Sequence, residues 1–275
     1  MIVTQYFAEN LFKGKTVFVT GGGSGINLGI AKNFAALGAN IGICGRTLEK
    51  LENAAAELRA LGANVCPVVA DVRDITALEA AFAKSKQELG PMDVLVSGAA
   101  GNFLAPAEKL SANGFKTVVD IDLNGSFNAS HAAFEQLKET NGTIIYISAG
   151  MAYMPHAFQV HAGAAKAGID MMMKNLAIEW GPYGIRTNSI VPGPIEGTEG
   201  MKRLSSAAAR EAVINAVPLR RMGTVDDIGQ TAVFLASPLA SYISGCVVVC
   251  DGGQNLAGSA IFNMSAEQML KAQLK

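Results

Sequence analysis

The chain runs as a repeated pattern: a short apolar, β-branched stretch, a turn, then a longer segment whose apolar residues recur at helical spacing. The short stretches are TVFVT (16–20), NIGIC (40–44), NVCPVVA (64–70), DVLVS (93–97), GTIIYIS (142–148), IRTNSIV (185–191) and GCVVVC (245–250). Between them lie segments such as TLEKLENAAAELRAL, with the period of an amphipathic helix. Near-continuous apolar strands alternating with helices predict a parallel sheet covered on both faces. About seven strands with no break in composition predict an α/β fold, a single doubly wound Rossmann-like domain over residues 1–275. Right-handed crossovers then put ligands beyond the carboxyl ends of the strands. The long irregular stretch PGPIEGTEGMKRLSS (192–206) reads as a mobile active-site loop, and residues 254–275 as a surface extension or oligomer contact.

Composition narrows the classes. Half of the 275 residues are hydrophobic (50%), only 16% are charged, and mean hydropathy is +0.28, so a large core is readily filled. A net charge of −1 and the lack of any Lys/Arg block argue against a nucleic-acid partner. No apolar run approaches the roughly 18 residues that span a bilayer. The N-terminal MIVTQYFAEN has neither the basic start nor the apolar stretch of a secretory signal. The terminal AQLK does not match the S-K-L peroxisomal address. Together these read as a soluble, cytoplasmic protein without membrane insertion. Cys44, Cys66, Cys246 and Cys250 form no C-x-x-C pair and read as buried thiols, with no metal site.

VTGGGSGINLGIA (19–31) follows the first strand and opens the first helix. Gly21, Gly23 and Gly25 permit a tight turn, and Ser24 and Ile26 bring backbone N–H groups to a helix N-terminus suited to a pyrophosphate. The second strand ends ICGRTLEK, with no carboxylate to receive a ribose 2′-OH; Arg46 instead offers a guanidinium fork for a 2′-phosphate. The expected cofactor is NADPH. In ADVRD (70–74), Asp71 is a candidate acceptor for the adenine amino group, or simply a helix cap.

With Lys166 in HAGAAKAGID and the stretch VPGPIEGTEG, these features resemble the short-chain dehydrogenase/reductase family over almost the whole chain. The family's T-G-x-x-x-G-x-G would have glycine where this chain has Asn27. The resemblance extends the expected cofactor contacts to Val72, Lys166, Pro192, Gly193 and Ile195. It also implies an Asn–Ser–Tyr–Lys catalytic set, which falls here on Asp122, Ala149 (with Ser148 adjacent), Ala162 and Lys166. Only the lysine is retained. Hydride addition to a ketone creates an alkoxide that needs a proton at once. Ala162 cannot give one, and neighbouring His161 points about 100° away on a helix.

Addition to a conjugated dienoyl thioester tolerates the gap, because the charge spreads to the thioester oxygen and protonation at carbon follows. SGAAGNFLAPAEKLS, VVDIDLNGSFN, QVHAGAAKAG and VPGPIEGTEGMKRL are similar to the 2,4-dienoyl-CoA reductase group, the tyrosine-free peroxisomal type above all. That group's N-N-A-A-G-N-F reads SGAAGNF here, with Ser97 and Gly98 in place of two asparagines. The resemblance implies reduction of 2,4-dienoyl-CoA to enoyl-CoA by a homotetramer in unsaturated fatty-acid oxidation. It also implies catalysis by Asp122, Lys166 and Asp170 through ordered water. Lys166 and Asp170 stand at i, i+4, on one helix face. An unperturbed aspartate, with a pKa of about 3.9, requires about 4 kcal/mol to be protonated at pH 7, so orientation of a water is the favoured role. For the acyl-CoA substrate, Arg73 and Arg203 are candidate phosphate contacts and Phe103 a candidate for the acyl slot. The competing readings are a general short-chain reductase of another activated alkene or carbonyl, and a catalytically inactive nucleotide-binding paralogue.

Overall fold

The computed structural model describes residues 3–198, 201, 206–259, 262–263, 265–266 and 269–270. The seven apolar runs form seven strands: β1 (Thr16–Thr20), β2 (Asn40–Gly45), β3 (Val65–Val69), β4 (Met92–Ser97), β5 (Thr143–Ile147), β6 (Arg186–Pro192) and β7 (Val247–Cys250). They pair in the order β3-β2-β1-β4-β5-β6-β7, every pair parallel. The order reverses between β1 and β4. Crossovers on either side of that point leave opposite faces of the sheet and open a crevice at the carboxyl ends. Thr20 and Ser97 are register partners at its base.

The intervening segments are helices: α1 (Gly25–Ala36), α2 (Leu48–Arg59), α3 (Ile75–Leu89), α4 (Ala112–Val119), α5 (Gly125–Thr140), α6 (Val160–Trp180), α7 (Ala207–Ala216) and α8 (Val225–Ala236). Alternate strand residues serve opposite layers. Val17, Val19, Ile41, Ile43, Ile145 and Ile147 pack with Ile30 and Phe34 of α1, Leu51 and Leu58 of α2 and Ile228 of α8. Phe18, Leu95, Ile144 and Tyr146 pack with Leu78 and Phe82 of α3, Leu137 of α5 and Ile169 and Met173 of α6. At about 1.5–3 kcal/mol per large side chain taken from water, these two layers hold the sheet.

Polar residues set where helices begin. Asp74 caps α3 by accepting from the Thr76 and Ala77 N–H groups. Thr224 and Asp227 form a reciprocal capping box on α8, and the Arg221 guanidinium beside Asp227 holds its carboxyl down to about 2. The cysteines divide. Cys44 and Cys66 are buried, and burial pushes the Cys44 thiol up to about 12. Cys246, expected inside, is exposed, because it precedes β7 at the open edge of the sheet; Cys250 is half-buried. No helix among the described residues is long and apolar enough to cross a membrane.

The long loop is tied down at its start, where Ile195 bridges Gly223. Residues 199–200 and 202–205 of the stretch expected to move, Arg203 among them, lie outside the described residues, as does much of the C-terminal extension.

Candidate active site

The crevice is built from its glycine turn outward. Gly21 and Gly25 have φ of +68° and +59°, and a Cβ at Gly22 would fall 2.6 Å from Ile43 of β2. Larger residues cannot make this turn. Ser24 precedes α1 without capping it through its side chain, so the first N–H groups of the helix are presented to an incoming anion.

Two small cavities continue from the turn. One, of about 150 Å³, is lined by Gly23, Ser24, Arg46, Thr47 and Lys50; the other, of about 140 Å³, by Arg46, Ala70, Asp71, Val72 and Ile121. Arg46 borders both. Lys50 was not foreseen, although a second cation four residues after Arg46 in GRTLEK was the available signal. No carboxylate lines the first cavity, which Arg46 and Lys50 both border. These features fit a phosphorylated dinucleotide.

Asp71 and Arg73 meet each other. Arg73 donates from Nε and Nη2 to the two carboxylate oxygens at 2.6–3.1 Å, and this pairing holds the Asp71 carboxyl below the usual range. Asp71 still borders the second cavity, whereas the guanidinium of Arg73 is turned onto it.

The departure at Asn27 is explained across the crevice. Its side-chain amide donates to the Gly98 carbonyl at 2.8 Å and to that of Gly21 at 3.4 Å. A Cβ on Gly98 would lie 2.1 Å from Asn27 Oδ1. The asparagine missing from position 98 and the asparagine gained at 27 therefore occupy the same space. Thr20 Oγ1, also not foreseen, accepts from the Gly98 and Ala99 N–H groups at 3.1 and 3.2 Å and fixes the start of this loop.

Asp122, Lys166 and Asp170 come together beyond β5. Lys166 Nζ lies 3.3 Å from Asp122 Oδ2 and donates to the Ile147 carbonyl at 3.0 Å. Asp122 Oδ1 accepts from the Gly101 N–H at 2.8 Å. All three residues are buried. Asp122 sits in a π-helical turn, Asp120–Asn124, which joins α4 to α5; the register of the backbone hydrogen bonds changes there. Asp170 faces the hydroxyls of Ser148 and Ser189 without closing a hydrogen bond to either; its Oδ1 and both Oγ atoms are unpartnered. Burial pushes the Asp170 carboxyl up, while the two hydroxyls, Lys174 and Lys166 partly oppose the shift.

Ala162 is buried beside this group and carries only a methyl. His161 is turned away, its ring packed edge-on against Phe103 at 4.5 Å with neither nitrogen bonded. Phe103 itself is partly exposed. Tyr153 accepts from Asn255 at 3.3 Å, and partial burial pushes its phenol up. Pro192 closes β6 against Cys250; Gly193, Ile195 and Asp251 line a neighbouring cavity of about 460 Å³.

Residues 21–255 match the family model described as enoyl-(acyl carrier protein) reductase. The peroxisomal 2,4-dienoyl-CoA reductase [(3E)-enoyl-CoA-producing] of Pongo abelii is 45% identical over 250 residues, covering 90% of this chain and 86% of that protein. A Bacillus subtilis protein named "Probable 2,4-dienoyl-CoA reductase [(2E)-enoyl-CoA-producing]" is 42% identical over 244 residues, covering 87% and 96%. Among solved structures, a short chain dehydrogenase from Bacillus anthracis superposes with a TM-score of 0.80 at 40% identity, covering 88% and 96%.

The Asn27–Gly98 contact makes a quantitative prediction. Gly98→Asn is expected to weaken dinucleotide binding about tenfold or more, since the new side chain enters the volume of Asn27, and Asn27→Gly loses the cross-link. The double variant restores binding, with a coupling of about 1 kcal/mol or more in a double-mutant cycle of dissociation constants. Additive losses would show that the two positions act separately.

Proposed function

The chain belongs to the short-chain dehydrogenase/reductase family, and from that premise we propose that it is an NADPH-dependent 2,4-dienoyl-CoA reductase of unsaturated fatty-acid oxidation. One observation carries the reading: a buried Asp122–Lys166 pair stands beside the methyl of Ala162, where a ketone reductase requires an acid. The catalytically inactive alternative fits poorly, because two charges kept out of water without a task are a liability to the fold. The names of the relatives support the same substrate class.

The cofactor's contribution, when bound, is a hydride at the nicotinamide. Gly21, Gly23, Ser24, Gly25 and Ile26 would hold its pyrophosphate, Arg46 and Lys50 its 2′-phosphate, Asp71 and Val72 its adenine. Lys166 would hold the nicotinamide ribose, and Pro192, Gly193 and Ile195 the nicotinamide. Reduction at the distal carbon of the diene moves negative charge to the thioester oxygen. Lys166 supplies the compensating positive charge, and Asp122 holds the ammonium in place. Asp170, with Ser148 and Ser189, orients a water that returns a proton to the carbon next to the thioester. Protonation there leaves the double bond at the 3-position, the (3E) outcome in the name of the Pongo abelii relative.

Phe103 is our candidate for the acyl slot, with Arg203 and Arg73 for the CoA phosphates. Phe127 on α5 and Met171 and Ile178 on α6 expose large apolar side chains, which supports a homotetramer. The cytoplasm is the compartment read from the sequence; relatives named for the peroxisome make that organelle the alternative in a eukaryotic cell.

Loss of NADPH absorbance with a medium-chain 2,4-dienoyl-CoA is the direct test. Rapid oxidation with the dienoyl ester and none with a β-ketoacyl-CoA is expected; the reverse preference would replace this reading with that of a carbonyl reductase. Arg46→Ala and Lys50→Ala should each raise the KM for NADPH by about 10- to 100-fold, the worth of a charge-assisted hydrogen bond, and leave that for NADH unchanged. Equal effects on both cofactors would remove these side chains from the 2′-phosphate.

Asp170 makes a prediction of the opposite sign for stability and activity. Its raised pKa means that the folded chain resists ionising it. The resulting stability is complete below the unfolded pKa, near 3.9, and is lost as pH rises through the folded value. Asp170→Asn should therefore raise Tm at pH 7.5, by about 2–4 °C for each 1 kcal/mol relieved, while slowing turnover. Calorimetry should show the gain vanishing towards pH 4.

A further inference from the structure

Asp122 is held by its surroundings on two sides. Its carboxylate faces Gly101 and Lys166, while its own backbone carbonyl accepts from Ser126 Oγ at 2.6 Å. That bond falls at the π turn. The Gly125 N–H reaches five residues back to the Asp120 carbonyl and is shared with the carbonyl of Asp122. A regular helix would give each carbonyl its own N–H four residues on. Here the Gly125 N–H is divided between two carbonyls, and the Ser126 hydroxyl gives the Asp122 carbonyl a strong partner of its own.

Ser126 is in turn the middle of a buried row of hydroxyls. Ser97 Oγ, at the end of β4, lies 3.1 Å from Ser126 Oγ. Ser130 Oγ donates to the Ser126 carbonyl at 2.7 Å, and Tyr146 on β5 lies 2.6 Å from Ser130 Oγ. The direction of every bond follows from counting protons. Each hydroxyl has one. Ser130 spends its proton on the Ser126 carbonyl, so Tyr146 must donate to Ser130. Ser126 spends its own on Asp122, so Ser97 must donate to Ser126. All four side chains are buried, at 0–4% exposure, so no bulk water can replace a lost member. Burial also pushes the Tyr146 phenol up, which keeps it a donor.

We propose that Ser126 is a positioning residue for catalysis: its hydroxyl sets the π turn, and the turn aims the Asp122 carboxylate at Lys166 and the Gly101 N–H. Ser97 steadies Ser126 from the sheet, at one of the two positions where the related enzymes have asparagine. Ser130 and Tyr146 anchor the next helical turn and carry stability more than aim. The inference rests on the reductase reading only for the activity assay.

The test compares Ser126→Ala, Ser126→Thr, Ser97→Ala and Ser130→Ala in the full-length enzyme with the wild type. Threonine can donate to the carbonyl four residues back through Oγ1, so it keeps the bond. A misplacement of about 1 Å costs about 100-fold in rate. Ser126→Ala should therefore lower kcat with the dienoyl ester by about 10- to 100-fold and leave the KM for NADPH unchanged. Ser126→Thr should retain most activity and Ser97→Ala should lose a few-fold. Ser130→Ala should lower Tm but not kcat. Hydrogen exchange of the Gly101 amide gives a readout that needs no turnover: its protection should fall in Ser126→Ala and hold in Ser130→Ala. A wild type inactive on dienoyl esters would overturn the reductase reading and leave this exchange test standing. Wild-type kcat and Gly101 protection in Ser126→Ala would overturn the proposal itself. If Ser126→Ala does not fold, Ser97→Ala decides by the same two measurements, unchanged values overturning it.

Discussion

Lys166 and Asp122 face one another at 3.3 Å with almost nothing of either exposed, and each charge kept from water costs several kcal/mol unless it is bonded throughout. That demand organises the carboxyl end of the sheet. The last residue of β5 gives a carbonyl to the lysine, and the loop after β4 gives an N–H to the aspartate. The helix carrying Asp122 leaves its regular path for one turn. Strands, loop and helix are thus tied at a single buried point, and displacement of any one of them strands a charge. Asp170 adds to the load one helical turn further along, where its carboxyl is desolvated and incompletely bonded. The site concentrates strain of an electrostatic kind, borne by two large apolar layers that carry no chemistry.

Much of this was legible in the residues. Seven β-branched runs became seven parallel strands because the sheet is covered on both faces, which makes the apolar period unbroken and hard to mistake. The glycine turn was legible because its backbone angles exclude other residues. Lys166 and Asp170 share a face because helical spacing alone brings them there. What escaped reading depends on contacts remote in sequence. The π turn leaves no mark in composition, since DIDLN suits an ordinary helix; its cause lies in the hydroxyls of Ser126 and of Ser97, 29 residues away. Asp71 and Arg73 were assigned separate ligands, yet their spacing across a turn lets them pair. Cys246 was expected inside because its run is apolar, but sheet edges are set by topology, which periodicity does not report.

The replacement of a tyrosine by Ala162 then acquires a physical meaning. The methyl is buried and brings no acid to the lysine, two aspartates and two serine hydroxyls described above. A site so furnished holds charge and orders water well and delivers a proton to oxygen poorly. That balance selects substrates whose charge is already delocalised, and it does so without any contact to the acyl chain.

The contact between Asn27 and Gly98 also limits which pairs the crevice can hold. Asparagine at both positions would drive two amides into one volume. Glycine at both would leave the Gly98 carbonyl without its donor and the two walls unbraced. The present pair puts one amide on one wall and uses it to bind the backbone of the other.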